Sequence, residues 1–294
     1  MNNLQKSLST CLLAMAALLV GASPAWAQVT LGAASGFSVL GGTNVTCTAG
    51  AVAGDVGVSP GSAVPFTNTG CTIAGAMPPA TNAAAALART DFLSAYAAAR
   101  AMPCTQTLLS TITGSVTLSP GVYCTDAALT GTGVLTLDAG GNANAVWVFK
   151  IGTLATGALT GTNFSVVMAG GGQPCNVFWA PSAAVTMTTS ALVGTILAGN
   201  ATGGSITLTG GTVAGRALAN VAFTMTGASI IGCAALSEPG STCKDKDHDG
   251  HHGDKDHDKC DRDSSHRAKD CDEPPSGHIN PFGWNDKDDK GGKR

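Results

Sequence analysis

The chain has 294 residues, of which only 12% are charged and 5% aromatic, and acidic residues outnumber basic ones by 19 to 16. This balance does not suggest binding to nucleic acid, which depends on a surplus of basic side chains. The length is ample for one sizeable hydrophobic core.

The first 27 residues have the pattern of a secretory signal peptide. Lys6 lies in a short polar start, an apolar run follows at residues 12–20, and Ala-Trp-Ala at residues 25–27 offers small side chains to a signal peptidase. The apolar run is too short to cross a membrane, and no later stretch reaches the roughly 18 apolar residues that a span needs. We therefore predict a secreted, soluble protein whose mature chain, residues 28–294, begins at Gln28.

Residues 28–236 are nearly uncharged and rich in Gly, Ala, Thr and Ser. Runs such as SVTLSPG, VLTLDAG and SITLTGG combine β-favouring residues with a closing Gly or Pro, which predicts short strands with tight corners. Their spacing of roughly 15 to 20 residues is close to that of stacked β-solenoid coils. A β-sandwich would have similar strands, so the periodicity alone leaves both folds open.

One segment, at about residues 82–100, breaks this β pattern. It is rich in Ala, Thr81 or Asn82 can cap its amino end, and it stops before Pro103. One side of the segment carries, at helical spacing, Ala88, Phe92, Ala95, Tyr96 and Ala99. We predict a helix about 27 Å long, enough to run beside several stacked coils.

An ordered set of motifs covers most of this region, from about residue 31 to residue 233. The motifs are FSVLGGTNVTCTAGAVAGDVGVSPG, LSPGVYC, GVLTLDAGGNANAVWVFKIG, CNVFWAP, LVGTILA, SITLTGGTVAGRALA and IIGC. In this order they resemble the microbial ice-binding proteins of the DUF3494 type. The resemblance implies a mostly β fold: a discontinuous right-handed β-solenoid of triangular cross-section, with one long α-helix packed alongside and a capping segment at about residues 45–80.

The resemblance also implies a flat ice-binding face that carries Thr-[Ala/Gly]-x-[Thr/Asn] motifs. Stacked coils place equivalent residues ~4.8 Å apart, so repeated threonines become a ladder of methyl and hydroxyl groups. The predicted ice-contacting residues are Thr160, Thr162, Asn163, Thr188, Ser190, Thr209, Thr212, Thr226 and Ser229. Met187 and Met225 fall in or beside these ladders, and a ladder interrupted by large residues would bind ice weakly. For any single threonine, strand propensity is the simpler explanation.

A catalytic alternative is not favoured by the residues. The segment GVSPG at residues 57–61 fits the G-x-S-x-G pattern of a nucleophile elbow. Pro60 lacks the backbone N–H that the residue after the nucleophile contributes to an oxyanion hole, and residues 28–236 contain no histidine to act as a base. We predict a turn there, and a protein that is not an enzyme and needs no cofactor.

Ten cysteines in an exported chain argue for disulfides. The six between residues 28 and 236 allow many connectivities. The coil order that the resemblance implies suggests the pairs Cys47 with Cys71, Cys104 with Cys124, and Cys175 with Cys233. The remaining three beyond residue 28 are Cys243, Cys260 and Cys271, an odd number that leaves one free or available for a link to another molecule.

Residues 237–294 form a tail that contains all six histidines and many Asp and Lys residues. Its composition predicts disorder. Asp245, Asp247 and Asp249 reproduce the D-x-D-x-D-G opening of a calcium loop, with Asp256 at the last ligand position, while His251 and His252 would suit zinc, nickel or copper. We rank a solvated tail first, weak divalent-ion binding second and a specific calcium site third.

The sequence is therefore compatible with two functions. In the first, a secreted monomeric body adsorbs to ice crystals through a flat threonine-rich face, with antifreeze or recrystallisation-inhibiting activity. In the second, the same scaffold is a non-catalytic cell-surface or matrix protein, such as an adhesin, whose tail makes the ion or surface contact. An uninterrupted array of outward threonines would favour the first function, and bulky or charged interruptions would favour the second.

Overall fold

The structure is a computed structural model, and it describes residues 29–60, 66–77, 83–154 and 156–233. The predicted signal peptide, residues 1–27, and the predicted tail, residues 237–294, with all of its candidate metal ligands, lie outside the described residues. Within the described ranges, no helix is both long and apolar enough to cross a membrane.

Short strands make up most of the described chain. Up to the long helix, the elements are a 3-10 helix Gly32–Gly36, β1 Phe37–Gly41, β2 Asn44–Thr48, β3 Ala51–Val52, β4 Asp55–Val58, β5 Phe66–Thr69, β6 Thr72–Ile73 and α1 Ala83–Ala101. After the helix they are β7 Gln106–Thr107, β8 Thr111–Ile112, β9 Ser115–Leu118, β10 Gly121–Thr125, β11 Leu129–Gly131, β12 Val134–Asp138, β13 Trp147–Ile151, β14 Leu159–Thr162, β15 Ser165–Ala169, a 3-10 helix Pro174–Asn176, β16 Val177–Pro181, β17 Val185–Thr188, β18 Ala191–Ala198, β19 Ile206–Thr209, β20 Thr212–Ala219, β21 Ala222–Thr226 and β22 Ser229–Ile230.

The strands pair in parallel and stack as coils with three sides. One side, which we call the threonine face, is an eight-stranded sheet in the order β5-β2-β21-β19-β17-β14-β11-β8. The other two sides belong to one 14-stranded sheet. The second side contains β6, β3, β22, β15, β12, β9 and the first halves of β18 and β20. The helix side contains β4, β1, β16, β13, β10, β7 and the second halves of β18 and β20.

Glycine allows β18 and β20 to pass around the corner between these two sides. Gly194 and Gly215 are aligned there, and Gly194 has a φ of 108°, which residues with side chains rarely adopt. A Cβ on Gly215 would lie 1.8 Å from the carbonyl oxygen of Gly194. The coils therefore stack at their normal distance here only because Gly215 has no side chain.

The order of strands in space differs from their order in the chain. β1 pairs with β20 and β2 pairs with β21, so the amino-terminal strands extend the stack beyond its last carboxyl-terminal coil. The chain must then return to the opposite end, where β7 and β8 lie. Helix α1 makes this return, since 19 residues give a length of about 28 Å beside a stack of roughly 34 Å. The predicted fold class, a mostly β discontinuous solenoid with one long helix, is confirmed.

Helix α1 covers the helix side. The residues that it buries are Ala85, Ala88, Phe92, Ala95 and Ala99. They pack on outward side chains of the strands, among them Leu40, Val122, Val148, Phe178, Leu197 and Leu218. The small alanines let the helix approach the sheet closely. Arg100 ties the end of the helix to the coils, because its guanidinium donates hydrogen bonds to the carbonyls of Ile151, Gly152 and Ala180 at 2.7–3.1 Å.

Inside the coils, aligned positions form ladders of large side chains. Tyr123, Phe149 and Trp179 are aligned on neighbouring strands, and their rings stack with centroid distances of 5.6 and 4.0 Å. Trp179 is fully buried, and its indole N–H donates to the carbonyl of Val193 at 2.8 Å. These contacts bind coil to coil in addition to the backbone hydrogen bonds.

Between residues 29 and 233, the described cysteines form two disulfides, Cys47–Cys71 and Cys104–Cys124. The third suggested pair differs, because Cys175 and Cys233 are free, partly exposed thiols in the structure. Each sulfur is engaged in another interaction: the thiol of Cys175 donates to the carbonyl of Cys233 at 3.2 Å, and Arg216 Nη1 donates to Cys233 Sγ at 2.7 Å.

We expect Trp179→Ala to lower the free energy of unfolding by about 3–5 kcal/mol, because it leaves a cavity beside Phe149 and an unpaired carbonyl at Val193. The matched variant Trp179→Phe keeps an aromatic ring and loses only the N–H donor, so it should cost about 1–3 kcal/mol. Urea unfolding followed by circular dichroism measures both. Parent-like stability of Trp179→Ala would show that the aromatic ladder does not hold the coils together.

Candidate functional site

Two columns of threonine run the whole length of the threonine face. The first column, in spatial order, contains Thr111, Thr130, Thr160, Thr186, Thr207, Thr224, Thr46 and Thr67. The second contains Thr113, Thr132, Thr162, Thr188, Thr209, Thr226, Thr48 and Thr69, the first two by continuation of the strand register. All of these threonines are exposed or half-buried, so every strand of the face presents two threonines outward.

The residue between the two threonines is buried on seven of the eight strands, and the exception is the exposed Asn68 of β5. Met187 and Met225 occupy this position, and they are 2% and 0% exposed. Alternation along a strand places them on the opposite face of the sheet from their threonine neighbours. The expectation that these methionines interrupt the ladder is therefore corrected: they fill the core beneath an unbroken array.

The array repeats in two directions. Neighbouring strands lie ~4.8 Å apart, and the two columns lie about 6.7 Å apart because their threonines are two positions apart along each strand. Threonine is β-branched and has few side-chain rotamers, and its neighbours in the column restrict it further. The methyl and hydroxyl groups are therefore ordered before anything binds to them.

The hydroxyls of the face are available to water. Among the described residues, the one intramolecular hydrogen bond to a hydroxyl of the array comes from Asn44 Nδ2 to Thr46 Oγ1, at 3.5 Å. None of the eight strands of the face contains an Asp, Glu, Lys or Arg residue. The surface is thus polar through its hydroxyls, apolar through its methyls and without charge.

A tight corner follows the second threonine of most strands. On seven strands, the residue directly after this threonine has a positive φ. These residues are Ala49, Gly70, Gly114, Asn163, Thr189, Gly210 and Gly227. This left-handed conformation ends the strand at once and turns the chain toward the second side. The face consequently has a sharp edge along its second column.

The structure places the predicted ice-contacting residues in different positions. Five of them lie on the threonine face: Thr160, Thr162, Thr188, Thr209 and Thr226. Asn163 forms a corner, while Thr212 and Ser229 are aligned on the second side. Ser190 is 3% exposed, and its hydroxyl accepts a hydrogen bond from the N–H of Phe164. It supports a corner from inside and is too buried to contact a crystal surface.

The four-residue motif matched two different registers. In residues 209–212 and 226–229 it begins on the second column and crosses the corner, whereas in residues 160–163 it begins on the first column and ends at the corner. The motif therefore combines residues of the face with residues that lie beyond its edge.

Sequence reasoning missed most of the array. The missed threonines are Thr46, Thr48, Thr67, Thr69, Thr111, Thr113, Thr130, Thr132, Thr186, Thr207 and Thr224. The available signal was the triplet T-x-T, which recurs on all eight strands of the face and also at residues 105–107, on the helix side. One such triplet is ordinary in a β-strand, and only the strand register shows which triplets are aligned.

The other two sides lack such an array. Helix α1 covers the helix side. The first outward column of the second side is mixed, with Ser115, Val134, Ser165, Ala191, Thr212, Ser229, Ala51 and Thr72. Across the part of the chain that the structure describes, the threonine face is the one regular exposed surface.

Residues 57–60, the described part of this segment, do not present a nucleophile. Ser59 follows β4, is 8% exposed, and uses its N–H to donate to the carbonyl of Gly41 at 2.9 Å. This placement agrees with the predicted turn.

Comparison with known proteins matches the same region. A family model described as ice-binding-like matches residues 39–231. An ice-binding protein of Nostoc sp. (strain HG1) is 39% identical over 207 residues, which are 66% of this chain and 71% of that protein. An ice-binding protein of Flavobacterium frigoris (strain PS1) is 32% identical over 211 residues, 67% of this chain and 74% of that protein.

A solved structure agrees as well. The crystal structure of an ice binding protein from an Antarctic biological consortium is 33% identical, with a TM-score of 0.58, and the match covers 69% of this chain and 90% of that one. The resemblance to ice-binding proteins of the DUF3494 type is thereby confirmed. The matched residues include every strand of the threonine face. The chain belongs to the ice-binding-like family.

Proposed function

We propose that the protein binds ice and that the threonine face adsorbs to the crystal. The observation that carries this proposal is the alignment of two outward threonines on each of eight stacked strands. The relatives support it, because the two described above are ice-binding proteins by name.

The physical basis is a match between two periodic surfaces. A crystal plane of ice repeats in two directions, as the threonine face does, whereas liquid water has no such repeat. Hydroxyls hold water by hydrogen bonds, and the methyls between them discourage other water orientations. Each contact is weak, but the contacts are many and the array is already ordered, so little entropy is lost on adsorption. Charged groups would impose their own hydration shells, and the described strands of the face have none.

Adsorption alone accounts for inhibition of growth. Ice that advances between adsorbed molecules must curve, and a curved front is less stable than a flat one. No bond is made or broken, so the function that we propose is non-catalytic and needs no cofactor.

The cell-surface or matrix alternative is less favoured. It predicted bulky or charged interruptions of the flat face, whereas the large residues within the T-x-T triplets, such as Met187 and Met225, point into the core. Secretion through a signal peptide, a monomeric body and weak divalent-ion binding by the tail stay predictions from the sequence.

We expect Thr186→Tyr together with Thr207→Tyr to remove most ice activity. These threonines are aligned neighbours near the middle of the first column, and two bulky rings would hold the face away from a flat crystal. A loss of about 1.4 kcal/mol of adsorption free energy is a tenfold loss of affinity, and we expect at least that. Thermal hysteresis and recrystallisation inhibition of the mature chain measure the effect.

The matched control is Thr117→Tyr together with Thr136→Tyr, an aligned pair of outward threonines on the second side. This variant should keep parental activity. Parental activity in both variants would assign the binding site to a different surface, and a folded but inactive parent would overturn ice binding itself.

A second comparison separates the face from its edge. Thr209 lies in the second column, and Thr212, three residues later, lies beyond the corner on the second side. We expect Thr209→Tyr to reduce thermal hysteresis more than Thr212→Tyr does. The opposite order would place ice contact on the corner and the second side.

We expect ice activity to be unaffected by EDTA and nearly constant between about pH 5 and pH 9, because no group on the described strands of the face titrates in that range. Binding through the Asp- and His-rich tail would instead weaken with EDTA and change near the pKa of histidine. Thermal hysteresis at matched salt concentration distinguishes the two outcomes.

A further inference from the structure

Cys175 lies beside Cys233, the last described residue, although the two are 58 positions apart in sequence. Cys175 belongs to the 3-10 helix Pro174–Asn176 that precedes β16, and Cys233 follows β22. The thiol of Cys175 is 3.2 Å from the carbonyl oxygen of Cys233, and the two thiols interact directly. Both are partly exposed, so a small molecule in solution can reach them.

Arg216 brings a positive charge to this pair. Its Nε donates to the carbonyl of Ser35 at 3.0 Å, which fixes the guanidinium, and its Nη1 lies 2.7 Å from Cys233 Sγ and 3.9 Å from Cys175 Sγ. Among the described residues, these are the hydrogen-bond partners of Arg216, and none is a carboxylate. Its charge is therefore available to stabilise a thiolate.

Thr195 adds a second polar group. It is fully buried and is aligned with Arg216 on the neighbouring strand. Its hydroxyl faces Cys233 and lowers the pKa of that thiol, and no other group among the described residues bonds to it. The thiolate of Cys233, which forms when this sulfur resolves a mixed disulfide, would accept a hydrogen bond from this hydroxyl.

The two thiols have unequal acidity. The hydrogen bond from Cys233, helped by the charge of Arg216, lowers the pKa of Cys175 to about 6. The same hydrogen bond, with burial, raises the pKa of Cys233. This difference favours Cys175 as the sulfur that ionises first, and the thiolate is the nucleophilic form of cysteine.

We propose that Cys175 and Cys233 form a redox-active pair that exchanges with low-molecular-weight disulfides, Cys175 as the attacking sulfur and Cys233 as the resolving one. The disulfides Cys47–Cys71 and Cys104–Cys124 are typical of a protein that folds in an oxidising compartment. Low-molecular-weight disulfides are available in such a compartment.

The exchange takes place in two steps. The Cys175 thiolate attacks a disulfide RSSR, forming a mixed disulfide Cys175–S–S–R and releasing RS⁻. Cys233 loses its proton to that thiolate and attacks Cys175 Sγ, which forms the Cys175–Cys233 bond and releases a second RS⁻. This thiolate takes a proton from solvent. Counted from the dithiol, the protein loses two hydrogens, the first when Cys175 ionises and the second from Cys233, and RSSR is reduced to two RSH.

The bond would link the coil of β16 to the last carboxyl-terminal coil and close a long loop in the unfolded chain. From the length of that loop we expect the closed form to unfold at a temperature roughly 10 °C higher than the open form.

The test uses the mature chain carrying Cys243→Ser, Cys260→Ser and Cys271→Ser, so that the tail adds no thiols. The protein is equilibrated in glutathione buffers of graded redox ratio, quenched with iodoacetamide and digested with trypsin. Cleavage at Lys150, Arg216 and Lys244 places Cys175 in residues 151–216 and Cys233 in residues 217–244. We expect these peptides to be linked in oxidising buffers and separately alkylated in reducing ones, while the other two disulfides stay closed.

Single substitutions test the attacking role of Cys175, the resolving role of Cys233 and the contribution of Arg216. Cys233→Ser should accumulate a stable glutathione adduct on Cys175, whereas Cys175→Ser should react roughly tenfold more slowly at Cys233. Arg216→Gln should slow closure, as seen by intact mass, and Arg216→Lys should restore most of the rate. The rate of alkylation of Cys175 should increase as the pH is raised through about 6, because Cys233 and Arg216 lower the pKa of this thiol.

Three outcomes would overturn the proposal. The peptides could remain unlinked in every buffer, or they could remain linked in every buffer, which would make the bond structural. Equal reactivity of the two thiols in the single variants, at the rate of an ordinary exposed cysteine, would remove the assigned roles. None of these outcomes bears on ice activity, which depends on a different side of the stack.

Discussion

The parallel stacking of one coil on the next is the interaction on which the rest of this structure depends. Backbone N–H and C=O groups hold equivalent strands ~4.8 Å apart, so that like side chains repeat at that interval. Facing inward, the repeat builds the ladder of Tyr123, Phe149 and Trp179. Facing outward, it builds the threonine columns. A shift of one strand by a single residue would bury its threonines and expose its core residues, so the core and the face enforce the same register.

The few charges of the body leave the threonine face neutral. All four described cations make their contacts on or beside the helix side: Arg89 with Asn220, Arg100 and Lys150 with backbone carbonyls near the end of α1, and Arg216 with Ser35 and the thiol pair. Burial lowers the pKa of Lys150, with a further contribution from Arg100. The described cations thus bind near the helix and the thiol pair, and the uncharged surface that we propose for ice takes most of its polarity from threonine hydroxyls.

The amino-terminal strands, which join the stack beside its last carboxyl-terminal coil, also lengthen the threonine face. Because β2 and β5 join the stack beside β21, residues 44–48 and 66–69 add two further pairs of threonines to an array otherwise built after the helix. Disulfide Cys47–Cys71 lies in this added part, and Cys104–Cys124 lies where the chain re-enters the stack at its other end. Each disulfide thus joins an end coil of the stack, whose strands have a neighbour on one side only, to the coil beside it.

The sequence by itself determined what depends on neighbouring residues and on the whole set of motifs. Alternation predicted short strands, the Ala-rich segment predicted the helix that became Ala83–Ala101, and the ordered motifs indicated the family and the discontinuous solenoid. Only the tertiary structure decided which threonines form the face, which methionines are buried, and that Cys175 and Cys233, which the sequence analysis suggested as a disulfide, are free thiols beside Arg216. Corners of differing length separate the strands, and β2 pairs with β21 across most of the chain. The register is therefore set by long-range backbone pairing, which no local pattern specifies.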